Sequence, residues 1–358
     1  MQFKILVLWF VVFMSSAEAA PQLWQAFTTK SLKHATLEHL KIGTGMDLKI
    51  KLEKNAKTGV LETGIIPINA DTAIVSWNAL TPDNTYLEVE IRAQIGTRWT
   101  QYYKIARWNN AGEKYSFTIP ANSDGRVSTD TLKLKHAAQG LQLRISFHSS
   151  VMGVSPTLTG LAVVGSLASQ HFTAATTKSN RQAWGLELPV PVHSQMIYQG
   201  GGEVWCSPTS VTMMLGYWGT KLGLNLADPV PTAAKIMWDT EYDGSGNWAF
   251  NMAYASSKGL KAYVHRLSSL VQAEGYISKG IPLALSIAWG VGELEGAHIA
   301  KSGGHLVVLR GFTKSGDVII NDPAAKTDAG VRTVYNRAEL EQAWIGHSGG
   351  VVYVIDGR

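Results

Sequence analysis

Three well-separated segments alternate apolar and polar residues with a period of two, and this alternation most restricts how the first half of the chain can fold. They are Leu48-Lys49-Ile50-Lys51-Leu52, Leu87-Glu88-Val89-Glu90-Ile91-Arg92 and Leu141-Gln142-Leu143-Arg144-Ile145. Alternation of this kind sends successive side chains to opposite faces of a strand, one face buried and one wet. Turn-forming clusters separate the segments: Thr81-Pro82-Asp83-Asn84, Asn109-Asn110-Ala111-Gly112 and Asn122-Ser123-Asp124-Gly125. Short strands at this spacing predict an antiparallel β-sandwich over about residues 44–164, inside an accessory domain of residues 21–166. Trp77, Trp99, Tyr102, Tyr103 and Trp108 fall in this stretch. Such side chains fill sandwich cores, and they also stack on sugars.

The pattern lapses into Ser, Ala, Thr, Gln and Lys between about Gly165 and Ala183, so a linker is expected over residues 167–184. Beyond Trp184 the texture becomes mixed, and an α+β domain is expected over residues 185–358. Val211, Met214, Leu215 and Trp218 fall at helical spacing, with Gly219 as the expected stop. A second helix is expected near Trp248 to Ser257. Ser269 and Asn336 open two more, with Gln272 and Glu339 three residues on in capping-box position. Strands are expected at Lys261–Leu267, Ile281–Ala288, His305–Phe312, Asp317–Asn321 and Val351–Ile355.

The first residues speak to compartment. Met1 to Lys4 carry one positive charge, Ile5 to Met14 are uninterrupted apolar residues, and Ser15 to Ala20 are mostly small. Residues 1–20 therefore read as a cleaved signal peptide, with Ala20 or Pro21 opening a secreted or periplasmic protein that has no membrane anchor. An exported chain normally pairs its cysteines, and this one has a single cysteine, Cys206. A lone thiol there is a crosslinking, reactive or buried structural group. Hydrophobic residues at 45% with 16% charged describe a folded protein, and the formal net charge of +5 is scattered without a basic stripe. That distribution argues against nucleic acid as a partner.

The neighbourhood of Cys206 favours reactivity. In Trp205-Cys206-Ser207-Pro208 the proline suits the first turn of a helix, so Cys206 stands at or just before a helix N-terminus. Helix dipole and free N–H groups there lower a thiol's pKa. A thiolate needs a partner to protonate the leaving group, and His305 is the candidate, following Ser302-Gly303-Gly304 at the start of an apolar strand. A hairpin through Lys314-Ser315-Gly316 returns Asp322, before Pro323, to the His305 end of the sheet, where a carboxylate can orient the imidazole. An oxyanion needs donors; Gln195 and Gln199 both precede the nucleophile, alongside the Cys206 N–H. Asp239, Tyr242, Asp243 and Trp248, around a glycine-rich stretch, are candidates for a cleft wall or a plain surface turn.

The succession VPVHSQ, VWCSPTSVTMMLGYW, GGHLVVLRGF and VIINDP resembles papain-like cysteine peptidases related to the bacteriocin double-glycine leader peptidases, in their stand-alone exported bacterial branch. The resemblance runs from about Leu186 to Ile355. It implies Gln195 at the oxyanion hole, Cys206 as nucleophile, His305 as base and Asp322 as orienter, in a papain-like α+β fold. The first half, with SWNALTPDNTYLEVEIRA and STDTLKLK, is similar to the accessory domain that precedes such peptidases. No cofactor is implied. The implied partner is a peptide or protein, a cell-wall peptide included; oligomeric state stays open. Gly346-His347-Ser348-Gly349-Gly350 formally fits a serine nucleophile elbow, but a helix precedes it and a strand follows, the reverse of what the elbow needs. His298 and His305 lack metal-ligand spacing. The rival from another class is a non-catalytic protein that binds glycans or cell-wall polymers through the aromatic-rich sandwich.

Overall fold

The computed structural model describes residues 20–168, 179 and 181–357. The expected signal peptide, all but its last residue, and most of the expected linker lie outside them. Residues 22–166 form two antiparallel sheets of seven strands each. One runs in the order Gly125–Ser128, Thr131–Ala138, Ala70–Leu80, Thr157–Ser166, Ile50–Leu52, Leu40–Ile42, with Gln22–Ala26 also on Thr157–Ser166. The other runs Tyr115–Ser116, Tyr103–Trp108, Thr85–Ile95, Gly140–Ser149, Thr58–Glu62, Thr36–Glu38, with Arg98–Trp99 on Thr85–Ile95. Alternation does what it should in Thr85–Ile95: Leu87, Val89, Ile91 and Ala93 are fully buried, while Glu88, Glu90 and Arg92 are half-buried on the opposite face. Trp77, Tyr103 and Trp108 are core residues. Trp99 and Tyr102 lie instead on the outer face, where the Arg92 guanidinium stacks 4.6 Å from each ring centre.

The C-terminal domain is α+β. Six strands make one antiparallel sheet in the order Lys261–Arg266, Val351–Asp356, Leu283–Trp289, Ser302–Phe312, Val318–Asn321, Arg332–Tyr335. Helices α1 (Cys206–Leu222), α2 (Val230–Met237), α3 (Trp248–Ser257), α4 (Leu270–Ile277), α5 (Asp328–Val331) and α6 (Arg337–Ser348) pack around it. Among the described residues no helix is long and apolar enough to cross a membrane.

Several expectations need correcting. Helix α1 does not stop at Gly219; it runs to Leu222 and ends on Gly223 in the left-handed region, φ 70°. The His305 strand begins three residues earlier, at Ser302, so His305 sits inside the strand and pairs with Ile287. Helix α2 and the Arg332–Tyr335 strand were not anticipated. The Ser269 hydroxyl makes no cap bond, and the Gln272 side chain takes the Ser268 N–H instead. Asn336 does cap α6, accepting from Ala338 and Glu339 N–H groups.

The two domains share one continuous core. Strand Ala70–Leu80 is buried without alternation from Ala73 to Ala79, because one face meets the other sandwich sheet and the other meets the C-terminal domain. Phe250 of α3 packs edge-on against Trp77 and Trp108, with ring centres 6.1 and 5.0 Å apart. The Asn78 amide closes a two-bond ring on Ala262, donating to its carbonyl and accepting from its N–H at 2.6 and 3.0 Å. Ser76 Oγ accepts from Val264 N–H at 2.9 Å.

Candidate active site

Helix α1 is buried on almost every side, as its run of small and apolar residues requires. Its first residue is Cys206, partly exposed at the floor of a cleft of about 640 Å³. Backbone N–H groups of Ser207 and Leu306 point at the sulfur. Burial pushes the thiol pKa up. The hydrogen bond and charge of His305, with those two N–H groups, outweigh burial and bring it below the ordinary thiol range.

The hairpin places Asp322 where it can meet His305. Val308 pairs with Asn321 across it, and the chain then turns so that Asp322 Oδ1 lies 2.7 Å from His305 Nε2. That leaves Nδ1 of the ring for the Cys206 thiol. Both His305 and Asp322 are buried, at 3% and 0% exposure. Asp322 also accepts from Ala324 N–H at 2.9 Å and from the Tyr335 hydroxyl at 2.5 Å. Burial would lower the His305 pKa, but the Asp322 charge and hydrogen bond and the Cys206 thiol raise it well above the imidazole range. Burial would raise Asp322; His305, Tyr335 and the Ala324 N–H hold it down at about 2. Trp289 lies edge-on to the His305 ring, centres 5.8 Å apart, closing one side of it to water.

Gln195 is 3% exposed and lines the same cleft. Its backbone N–H donates to Pro323 O at 2.9 Å, and Ser194 hydrogen-bonds Ala325 O and Asp328 Oδ1, so this segment is stapled to the turn after Asp322. The Gln195 Oε1 meets no donor among the described residues. Gln199 is exposed and does not line the cleft. Of the suggested wall, Tyr242 and Trp248 line the cleft. Asp239 is fully buried as a bracket: it accepts from Ser116 N–H of the sandwich at 2.9 Å and from Asn247 Nδ2 at 2.8 Å. Ser348 Oγ is a core hydroxyl bonded to Ser286 O, and His298 is exposed. Among the described residues no group of three or more side chains could hold a metal ion.

Sequence reasoning missed the support behind Cys206. Ser207 Oγ meets Asn251 Oδ1 at 2.9 Å and the Tyr353 hydroxyl at 2.8 Å. Asn251 Nδ2 in turn donates to Asn247 O and Ser245 O. This buried network ties the start of α1 to α3. Asn251 and Tyr353 read from sequence as ordinary core positions, and nothing local marks them. Also missed were the sandwich residues that line the cleft, Ser128, Thr129, Asp130, Thr131 and Lys133.

Residues 187–351 match the family described as Peptidase_C39 like family, and residues 22–166 match the Peptidase C39 N-terminal domain. No curated protein matches the chain. Solved structures resemble it only loosely. Infectious bursal disease virus Gt strain shares 11% identity over 40% of this chain and 32% of its own, with a TM-score of 0.24. A family two carbohydrate esterase from Cellvibrio japonicus shares 13% over 41% and 34%, with a TM-score of 0.21. The CBM22-1-GH10 modules of xylanase 10B from Clostridium thermocellum share 8% over 43% and 28%, with a TM-score of 0.22. The chain thus spans about a third of the length of these structures. Likeness so slight carries nothing about fold or function, whereas the two family matches between them take in nearly all of the chain beyond its first residues, and by them the chain belongs to the peptidase C39-like family, a family of cysteine peptidases.

Proposed function

We propose that this chain is an exported, papain-like cysteine peptidase that hydrolyses peptide bonds through a Cys206 thiolate, with His305, Asp322 and Gln195 as its partners. The observation that carries the reading is the continuous chain of contacts from Asp322 through His305 to a helix-start cysteine open to a cleft. A helix bearing the thiol and packed on an antiparallel sheet bearing the imidazole supports the papain-like assignment. The single positive charge, apolar run and small residues that open the chain, an expectation from its residues alone, support export.

The chemistry runs as acyl transfer. The thiolate attacks the scissile carbonyl carbon; a C–S bond forms and the C=O electron pair moves onto oxygen. The Cys206 N–H and the Gln195 amide donate to that oxyanion. As the C–N bond breaks, the His305 imidazolium gives its proton to the departing amine, leaving a thioester and neutral imidazole. Water then attacks the thioester while His305 takes its proton, and the C–S bond breaks. This releases the carboxylic acid and restores the thiolate–imidazolium pair. Asp322 holds the ring and stabilises its charge throughout.

Incubation of the purified protein with a proteome-derived peptide library tests this. Wild type should cleave, and Cys206→Ala should lose about four orders of magnitude or more of turnover with the fold retained. Wild-type turnover in Cys206→Ala would refute the assignment.

A further inference from the structure

The cleft above Cys206 has one wall from the other domain. The turn joining strands Gly125–Ser128 and Thr131–Ala138 of the sandwich reaches into it, and Thr129, Asp130 and Lys133 line it beside Gln195, Cys206 and His305. That turn is held in one shape. Thr129 has φ 57°, a conformation a β-branched residue adopts only where its surroundings enforce it. Asp130, 6% exposed, does the enforcing: Oδ2 accepts from the Trp248 N–H that starts α3 at 2.9 Å, and Oδ1 accepts from the Thr131 hydroxyl at 2.9 Å. The loop bearing Tyr242 is fastened to the same domain, by Asp239 to Ser116 N–H and by the Thr240 hydroxyl to Lys114 O. The wall is therefore fixed relative to the thiol, as a surface that reads substrate must be.

Charge divides the cleft by domain. With Asp130 committed to Trp248 and Thr131, the exposed lysine and carboxylate side chains lining it are Lys133 from the sandwich and Glu203 from the peptidase domain; the exposed His347 ring also lines it, and burial pushes its pKa down. Lys133 has no ion-pair partner among the described residues. We propose that the sandwich is a substrate-binding half of the active site, and that Lys133 selects peptides carrying a carboxylate where they cross the Ser128–Lys133 wall. The inference rests on the peptidase reading above. Preference for the carboxylate is confined to one substrate position, because among the described residues Lys133 is the one lysine or arginine that lines the cleft.

The test compares wild type, Lys133→Glu and Lys41→Glu, the last an equal charge change on the exposed edge strand Leu40–Ile42. Each is given C-terminally amidated peptides that differ by Glu against Gln at one position, and neutral peptides with free or amidated C-termini. Wild type and Lys41→Glu should favour either the Glu peptide or the free C-terminus by about fivefold in kcat/KM, the upper range for one exposed ion pair; which of the two identifies the carboxylate. Lys133→Glu should abolish or reverse that ratio while still cleaving the neutral amidated peptide. Identical ratios in all three proteins would overturn the inference and leave the peptidase reading standing, as would a Lys133→Glu that loses all peptides alike. No cleavage by wild type, with Cys206 still alkylated by iodoacetamide, would overturn both.

Discussion

A thiol at the start of a buried helix is pulled two ways, and the pH dependence of its reactivity reports which influence dominates. Burial disfavours the Cys206 thiolate, while the charged His305 ring and two backbone N–H groups favour it, with a net lowering. Alkylation by iodoacetamide should therefore be rapid near neutral pH. In His305→Ala only burial and the two N–H groups remain. The midpoint of the alkylation profile should move up by about one unit or more, and the rate at pH 7 should fall about tenfold. An unchanged profile would mean that the imidazole does not charge-pair with the sulfur. Asp322 makes a separate prediction about stability. Its folded pKa, about 2, lies below the unfolded carboxylate value of about 3.9. Its contribution to stability is thus fully present above the unfolded value and disappears as pH falls through the folded one. The acid limb of the melting curve should be shallower in Asp322→Asn, measured between about pH 5 and 2. These residues were legible in the sequence because each carries a local sign: proline after the cysteine, glycines before the histidine, a turn-and-proline after the aspartate. Tyr335, which donates to Asp322, carries none. It lies in a four-residue strand, too short for periodicity to show.

Most elements were legible in kind and less so at their ends, and glycine accounts for the misplaced ends of α1 and of the His305 strand. Gly219 reads as a helix stop, yet α1 passes through it. A Cβ at 219 would sit 2.7 Å from Leu224 O, where the chain folds back after Gly223, so packing and not termination demands glycine there. The expected strand leaves out Gly303 and Gly304, yet they continue it, and Ser302 pairs with Trp289. Gly202 shows the same demand at the cleft. A Cβ there would overlap the Gln195 carbonyl oxygen, so the 3-10 turn Gly202–Val204 can lie against the Gln195 segment only as glycine. Gly202→Ala should push Gln195 from its place while leaving α1 and the His305 strand untouched. The expected signature is a kcat lowered by about a hundredfold, the lower end of the range for a lost oxyanion donor, with Cys206 alkylation at its wild-type rate. Loss of alkylation together with kcat would show instead that the turn supports the thiol.

At the scale of the molecule, the linker composition suggested two bodies on a tether, and the structure is one core shared by two domains. No sequence pattern announces such a seam, because its residues satisfy strand and helix periodicity within their own domains. The run Ala73–Ala79, buried on both faces, is the one trace it leaves, and a strand between two sandwich layers would look the same. The seam predicts how the protein unfolds. Asn78 satisfies both the N–H and the carbonyl of Ala262 inside the interface, and Asn78→Ala would strand both groups without water. Each buried group left without a partner costs about 1–3 kcal/mol, a large part of a typical domain's stability. Because Phe250 packs against both Trp77 and Trp108, loosening this seam exposes apolar surface in both domains at once. Heat should therefore unfold the two together, with tryptophan fluorescence and Cys206 accessibility changing at one temperature. Asn78→Ala should lower that temperature for both probes equally, by several degrees. Two separated transitions, with only the sandwich shifted by the substitution, would show that the halves hold their folds independently and that the wall beside Cys206 is free to move.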